Sequence, residues 1–224
     1  MIRSLLPGLL ALASLGAFAP VPHAAGACPG TSIYCRGTTE VVPGDQGSRN
    51  CLYDDNTGSY GGGAFDQTQG TNRIDFRFLD VQLAAADTFW FEGPVQGDSV
   101  KCRALLDINA RACSGDRASV RATFALAPGY TQTYALFAPS PAECRDGSAT
   151  YNQLVALRVG EKFLMTLELR SFEAAGGDGF IATVLRFDQL PPGVSVRSCH
   201  GFRQDGPVPA VRDSWGAIKA IYRR

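Results

Sequence analysis

Histidine is almost absent from this chain of 224 residues: there are two, His23 and His200. His23 falls in an N-terminal stretch that reads as a removable signal, so the mature chain keeps only His200. A Ser-His-Asp machine would have to use that residue, which sits beside Cys199, and no Gly-x-Ser-x-Gly turn accompanies it. One histidine excludes a histidine-rich zinc centre, and no Cys-x-x-Cys pair offers thiolates in its place. The phosphate-cradling pattern Gly-x-x-x-x-Gly-Lys is missing too. No charge sign dominates, because 21 basic residues face 21 acidic ones. Without a basic cluster, such a balance implies no nucleic-acid partner. Beyond residue 27 no run approaches the length of a transmembrane span. No helical periodicity and no internal repeat is visible in residues 28–206.

What is present points to an exported β protein. Apolar residues make up 45% and charged ones 19%, enough for a sizeable core in one domain. Glycine at 25 and proline at 13 supply many turns. Arg3 followed by the broken apolar run Leu5 to Ala19, then small residues up to Ala27, has the form of a secretory signal. The expected organisation is a signal peptide over 1–27, a bridged domain over 28–206, and a linker with a tail over 207–224. That places the protein outside the cell, in the periplasm or at the cell surface.

Alternation dominates residues 152–187. Phe163, Met165, Leu167 and Leu169 share one parity, with Thr166, Glu168 and Arg170 on the other. Ile181, Leu185 and Phe187 repeat the pattern after the Gly-rich stretch 174–179, and a hairpin is expected there. Between Ile74 and Leu83 the apolar phase flips after Leu79, which predicts a β-bulge near Phe78. Turns are expected at 84–87 and 110–116, and a loop at 139–148. With Phe89–Phe91, Val100–Ile108, Val120–Leu126, Thr131–Phe137 and Val194–Arg197, the chain offers eight or nine strands. The fold class is all-β: an antiparallel β-sandwich or jelly roll, with a short C-terminal helix.

Seven cysteines in an exported chain read as disulfides with one left over. The spacing suggests Cys102 with Cys113, Cys144 with Cys199, and Cys35 with Cys51. Cys28, directly after the signal, is then unpaired, or lipidated. The stretch 51–63 reads as a loop by composition. Within it Asp54 and Asn56, with Asp66 beyond, resemble the start of an oxygen-rich calcium loop, although the closing bidentate glutamate is missing. Ordinary turn chemistry uses the same residues. Tyr53, Tyr60 and Phe65 offer a sugar-stacking platform, or anchors pinning the loop to the core.

No cofactor is implied, calcium aside. Asp75, Asp80, Glu92 and Glu168 lie on or beside strands, so a carbohydrate-active enzyme with paired carboxylates is one reading. Another is a calcium-dependent adhesion or carbohydrate-binding module. The leading one is a secreted, non-catalytic binding or surface-display protein whose partner is a glycan or a cell-surface protein. At the C-terminus, Asp213 to Arg224 has the apolar spacing of an amphipathic helix. Its pattern Trp215-Gly216-x-x-Lys219-x-x-Tyr222-Arg223 resembles tails of exported bacterial proteins of unknown function.

Overall fold

The structure, a computed structural model, describes residues 28–35, 38–54, 59–113, 119–126, 129–137, 143–172 and 177–207. Among them the chain forms fourteen strands and no helix. They are β1 (Thr31–Cys35), β2 (Thr38–Val42), β3 (Gln46–Asp54), β4 (Ser59–Asp66), β5 (Thr71–Arg77), β6 (Val81–Glu92) and β7 (Ser99–Cys113). β8 (Ser119–Leu126), β9 (Tyr130–Phe137), β10 (Cys144–Arg158), β11 (Lys162–Phe172), β12 (Asp178–Asp188), β13 (Ser195–Ser198) and β14 (Arg203–Asp205) complete the set.

All pairings are antiparallel, in two sheets. Sheet A runs β14-β13-β6-β11-β8-β9, with the β1–β2 hairpin also on β6. β13 takes residues 89–92 of β6 and β1 takes 81–85, so two hairpins share one side of that strand end to end. Sheet B runs β10-β7-β12-β5-β4-β3. Alternating side chains from both sheets meet in one core. Phe89 and Phe163 of sheet A lie 5.8 and 6.5 Å from the ring of Phe187 of sheet B. Fully burying one such ring stabilises the fold by roughly 2–3 kcal/mol.

The phase flip near Phe78 has a cause other than a bulge. β5 belongs to sheet B and β6 to sheet A, so residues 78–80 carry the chain across the sandwich. Ile74 and Phe76 face the core from one sheet, Val81 and Leu83 from the other. The expected hairpin over 163–187 is likewise a crossing. β11 pairs with β6 and β8, whereas β12 pairs with β5 and β7. Two strands facing each other through a core show the same alternation as two lying side by side.

The stretch 51–63 is mostly strand, not loop, in β3 and β4. Its glycines make room for packing: a Cβ on Gly61 would sit 2.7 Å from Val81. The expected turn at 84–87, the described part 110–113 of the turn at 110–116, and residues 144–148 of the loop expected over 139–148 are strand instead. β6 and β7 run on through Asp87 and Cys113, and β10 starts at Cys144.

The bridges are Cys28–Cys199, Cys35–Cys51 and Cys113–Cys144. Only the pairing of Cys35 with Cys51 was expected. Cys102 and Cys113 lie on the same strand, β7, roughly 36 Å apart at its rise, far beyond disulfide reach. Cys113 instead stands opposite Cys144 on β10, with Cα atoms 4.0 Å apart. Cys199 takes Cys28, which leaves that cysteine no thiol for a lipid. Cys102 is the free one, buried in the core, where burial pushes its thiol up to about 12. Pro207 is exposed, as a linker requires. The signal segment 1–27, Val208, Pro209 and the tail helix lie outside the described residues.

Candidate functional site

The calcium residues do not converge. Asp54 pairs with Ser59 at the tip of the β3–β4 hairpin, and Asp66 closes its far end opposite Gln46. Seven residues of strand separate the two ends, roughly 23 Å. Asp66 instead caps the following turn: its Oδ1 accepts from Thr68 Oγ1 at 2.5 Å and from Gln69 N at 3.2 Å. Asn56 lies outside the described residues. Among the described residues no group of three His, Cys, Asp or Glu converges as a metal site.

The strand carboxylates are dispersed too. Asp75 is on the outer face of sheet B, chelated by Arg73 at 2.6 and 2.7 Å. Glu92 and Glu168 are on the outer face of sheet A, held by Arg197 at 3.0 Å and Gln82 at 3.0 Å. Glu168 stands opposite Ala84, eight positions along β6 from Glu92. That is roughly 26 Å, against the 5–10 Å that flanking a glycosidic bond needs. Asp80 sits in the crossing, 3.9 Å from Arg170.

His200 is not set up as a base. Its Nδ1 lies 2.9 Å from Asp45 Oδ1, and its Nε2 donates to the carbonyl of Pro29. Both nitrogens are occupied, and the ring ties Pro29, ahead of β1, and the turn at Asp45 to the turn after β13. Nearby, Asp87 points into the core. Burial, ahead of the opposing contacts from Ser198 and His200, raises its pKa. Asp87 Oδ2, Gln67 Oε1 and Asn72 Oδ1 are buried with no hydrogen-bond partner. All three residues line a cavity between the sheets, with Phe124, Met165 and Leu185. Its volume, about 20 Å³, suits one water-sized molecule and no sugar.

The three aromatic platform residues do not share one face. Phe65 is buried in the core at 4% exposure, on the opposite face of β4 from Tyr60, which is 38% exposed. Tyr53 and Tyr60, by contrast, stand opposite each other in the ladder. The register continues across sheet B: Tyr60 opposite Arg77, Arg77 opposite Asp178, Asp178 opposite Cys113, and Cys113 opposite Cys144. Tyr53, Tyr60, Arg77 and Asp178 thus form a transverse row on four neighbouring strands, roughly 14 Å long. The Cys113–Cys144 bridge staples the row's continuation.

Phe78 follows Arg77 directly in the chain. It is half-buried at the surface crossing, with the Arg77 guanidinium 5.1 Å from its ring centre. Its φ is +56°, a conformation that bulky residues avoid and that costs roughly 1–3 kcal/mol. A hydrogen bond from Phe78 N to Gly177 O, 2.8 Å long, holds it there. The phase flip marked the position in the sequence, but nothing in the sequence marked the strain.

A second aromatic group, Tyr130, Tyr134 and Tyr151, lies between the facing edges β9 and β10. Burial raises the pKa of all three phenols. This seam is tightly closed: a Cβ on Gly147 would fall 2.2 Å from the Tyr134 hydroxyl.

No family model and no curated protein matches the chain. Among solved structures it is similar to TmCBM61 in complex with beta-1,4-galactotriose, at 10% identity and a TM-score of 0.30, over 70% of this chain and 87% of that one. It is also similar to the enzymatically active domain of bacteriophage CBA120 tailspike protein 4, at 10% identity and a TM-score of 0.24. That match covers 72% of this chain and 19% of the tailspike chain, so this protein spans about a fifth of it. Likenesses of this size transfer no residue, and the row at the crossing end stands on its own geometry.

Proposed function

We propose that the protein is an exported, non-catalytic binding protein that holds an oligosaccharide along the row Tyr53, Tyr60, Arg77 and Asp178. Phe78 at its positive φ carries this reading. Strain of that kind persists where the surroundings impose it, and here it fixes an aromatic ring under the guanidinium of Arg77, the residue opposite the exposed Tyr60. Aromatic faces stack on sugar rings, while a guanidinium and a carboxylate one strand further offer directed hydrogen bonds. Three bridges support an oxidising compartment, where glycans and cell surfaces are the available partners. The wide separation of Glu92 and Glu168 favours binding over hydrolysis.

A panel of immobilised glycans tests this. The full chain should retain a set of them, and Tyr60→Ala or Phe78→Ala should weaken retention at least roughly tenfold, about 1.4 kcal/mol. Retention by both variants at wild-type strength would remove the row from the function.

A further inference from the structure

A second row crosses sheet A at the same end of the sandwich. Tyr34 stands opposite Gln82, Gln82 opposite Arg170, Arg170 opposite Arg121, and Arg121 opposite Ala135. Two arginines are therefore direct cross-strand neighbours on the solvent face, an arrangement that destabilises a ladder. Both guanidiniums gather on one ring. Arg170 lies 4.6 Å and Arg121 4.9 Å from the centre of Phe172, which is half-buried. Neutralisation is thin. Arg170 reaches Asp80 only at 3.9 Å, Glu168 is already engaged by Gln82, and Arg121 makes no ion pair among the described residues. Arg186, by contrast, is closely matched, to Asp107 at 2.8 Å and to Asp188 at 3.0 Å.

We propose that Arg121, Arg170 and Phe172 form an anion site that receives the carboxylate or sulfate group of an acidic polysaccharide. Paired planar guanidiniums match the oxygens of such groups in bidentate fashion, and the ring beneath fixes their planes. The repulsion between them is relieved when the anion arrives. Beyond the buried Gln82, the half-buried Tyr34 continues the row for a flanking sugar. A nucleic acid is the poorer fit: 21 basic residues are balanced by 21 acidic ones, and two guanidiniums fall short of the several phosphate contacts a backbone binder makes.

Calorimetric titration of the full chain tests it, with trigalacturonate, its fully methyl-esterified form and sodium sulfate as probes. Trigalacturonate should bind, more weakly as salt is raised, and the ester should not. Arg121→Gln and Arg170→Gln should each weaken binding roughly tenfold or more. Their melting temperatures should stay level or rise, because a like-charge contact is removed. Equal affinity for acid and ester overturns the anion site while leaving the Tyr60 row standing. Sulfate competing as well as the trimer would mean an adventitious ion only. Unchanged binding with a lower melting temperature in the variants would make the pair a structural clamp on Phe172 and refute the proposal.

Discussion

At the scale of single residues, His200 shows how a rare side chain is used. Two hydrogen-bond acceptors, Asp45 and the Pro29 carbonyl, face its two ring nitrogens, an arrangement that favours the doubly protonated ring. Burial by itself lowers its pKa. The Pro29 carbonyl, Asp45 and Asp87 outweigh that and hold it above the ordinary value. A raised value means the stabilisation is complete below about pH 6.5 and fades as pH climbs through the folded-state value. His200→Gln should therefore destabilise by about 1–3 kcal/mol at pH 6 and by clearly less at pH 9. Denaturant unfolding at the two pH values checks this, and an equal loss at both would contradict a charged tie. In the sequence His200 was legible as the lone mature histidine, and its cation was not, since Pro29 and Asp45 reach it from 171 and 155 residues away.

At the scale of strands, alternation identified which face of each segment is buried and stopped there. The parity of Phe163, Met165, Leu167 and Leu169 holds in the structure, yet β11 and β12 are not partners. Pairing is decided by which sheet a strand joins, and the alternating pattern is the same for either sheet. β4 escaped notice because Gly61, Gly62 and Gly63 carry no pattern at all. Their role emerges only against neighbours brought in by the fold. The same logic makes Gly179 of β12 irreplaceable. A Cβ there would lie 2.1 Å from the backbone carbonyl oxygen of Arg111 on β7, which cannot swing aside as a side chain could. Gly179→Ala should destabilise by about 1–3 kcal/mol or more, measured as a lower denaturant midpoint. A midpoint within error of wild type would show that β7 and β12 can separate locally without loss.

Over the whole molecule, alternation and composition pointed to the all-β class and the cysteine number to disulfides, while connectivity depended on the fold. A Cys102–Cys113 staple looked natural only because a turn was expected between them. One long strand, β7, puts those sulfurs far apart and brings Cys113 to Cys144. Peptide mapping without reduction should recover Cys28–Cys199, Cys35–Cys51 and Cys113–Cys144. Cys102 should react with iodoacetamide only after denaturation, since its thiol is buried and pushed up to about 12. A Cys102–Cys113 peptide, or rapid native alkylation of Cys102, would break the scheme. Cys28–Cys199 links the start of the described chain to its last strands, beside the His200 tie, so both fasten the same corner.

At that scale the proposed function rests on binding without cleavage at the crossing end of sheet B. A single calorimetric titration, with an oligosaccharide retained in the glycan panel and chromatography of the sugar afterwards, decides it. Wild type should bind at one site and return the sugar intact, and the Tyr60→Ala, Phe78→Ala double variant should keep its melting temperature within a few degrees while losing the heat of binding. Recovery of a shortened sugar, or an unchanged isotherm in the folded double variant, would contradict it.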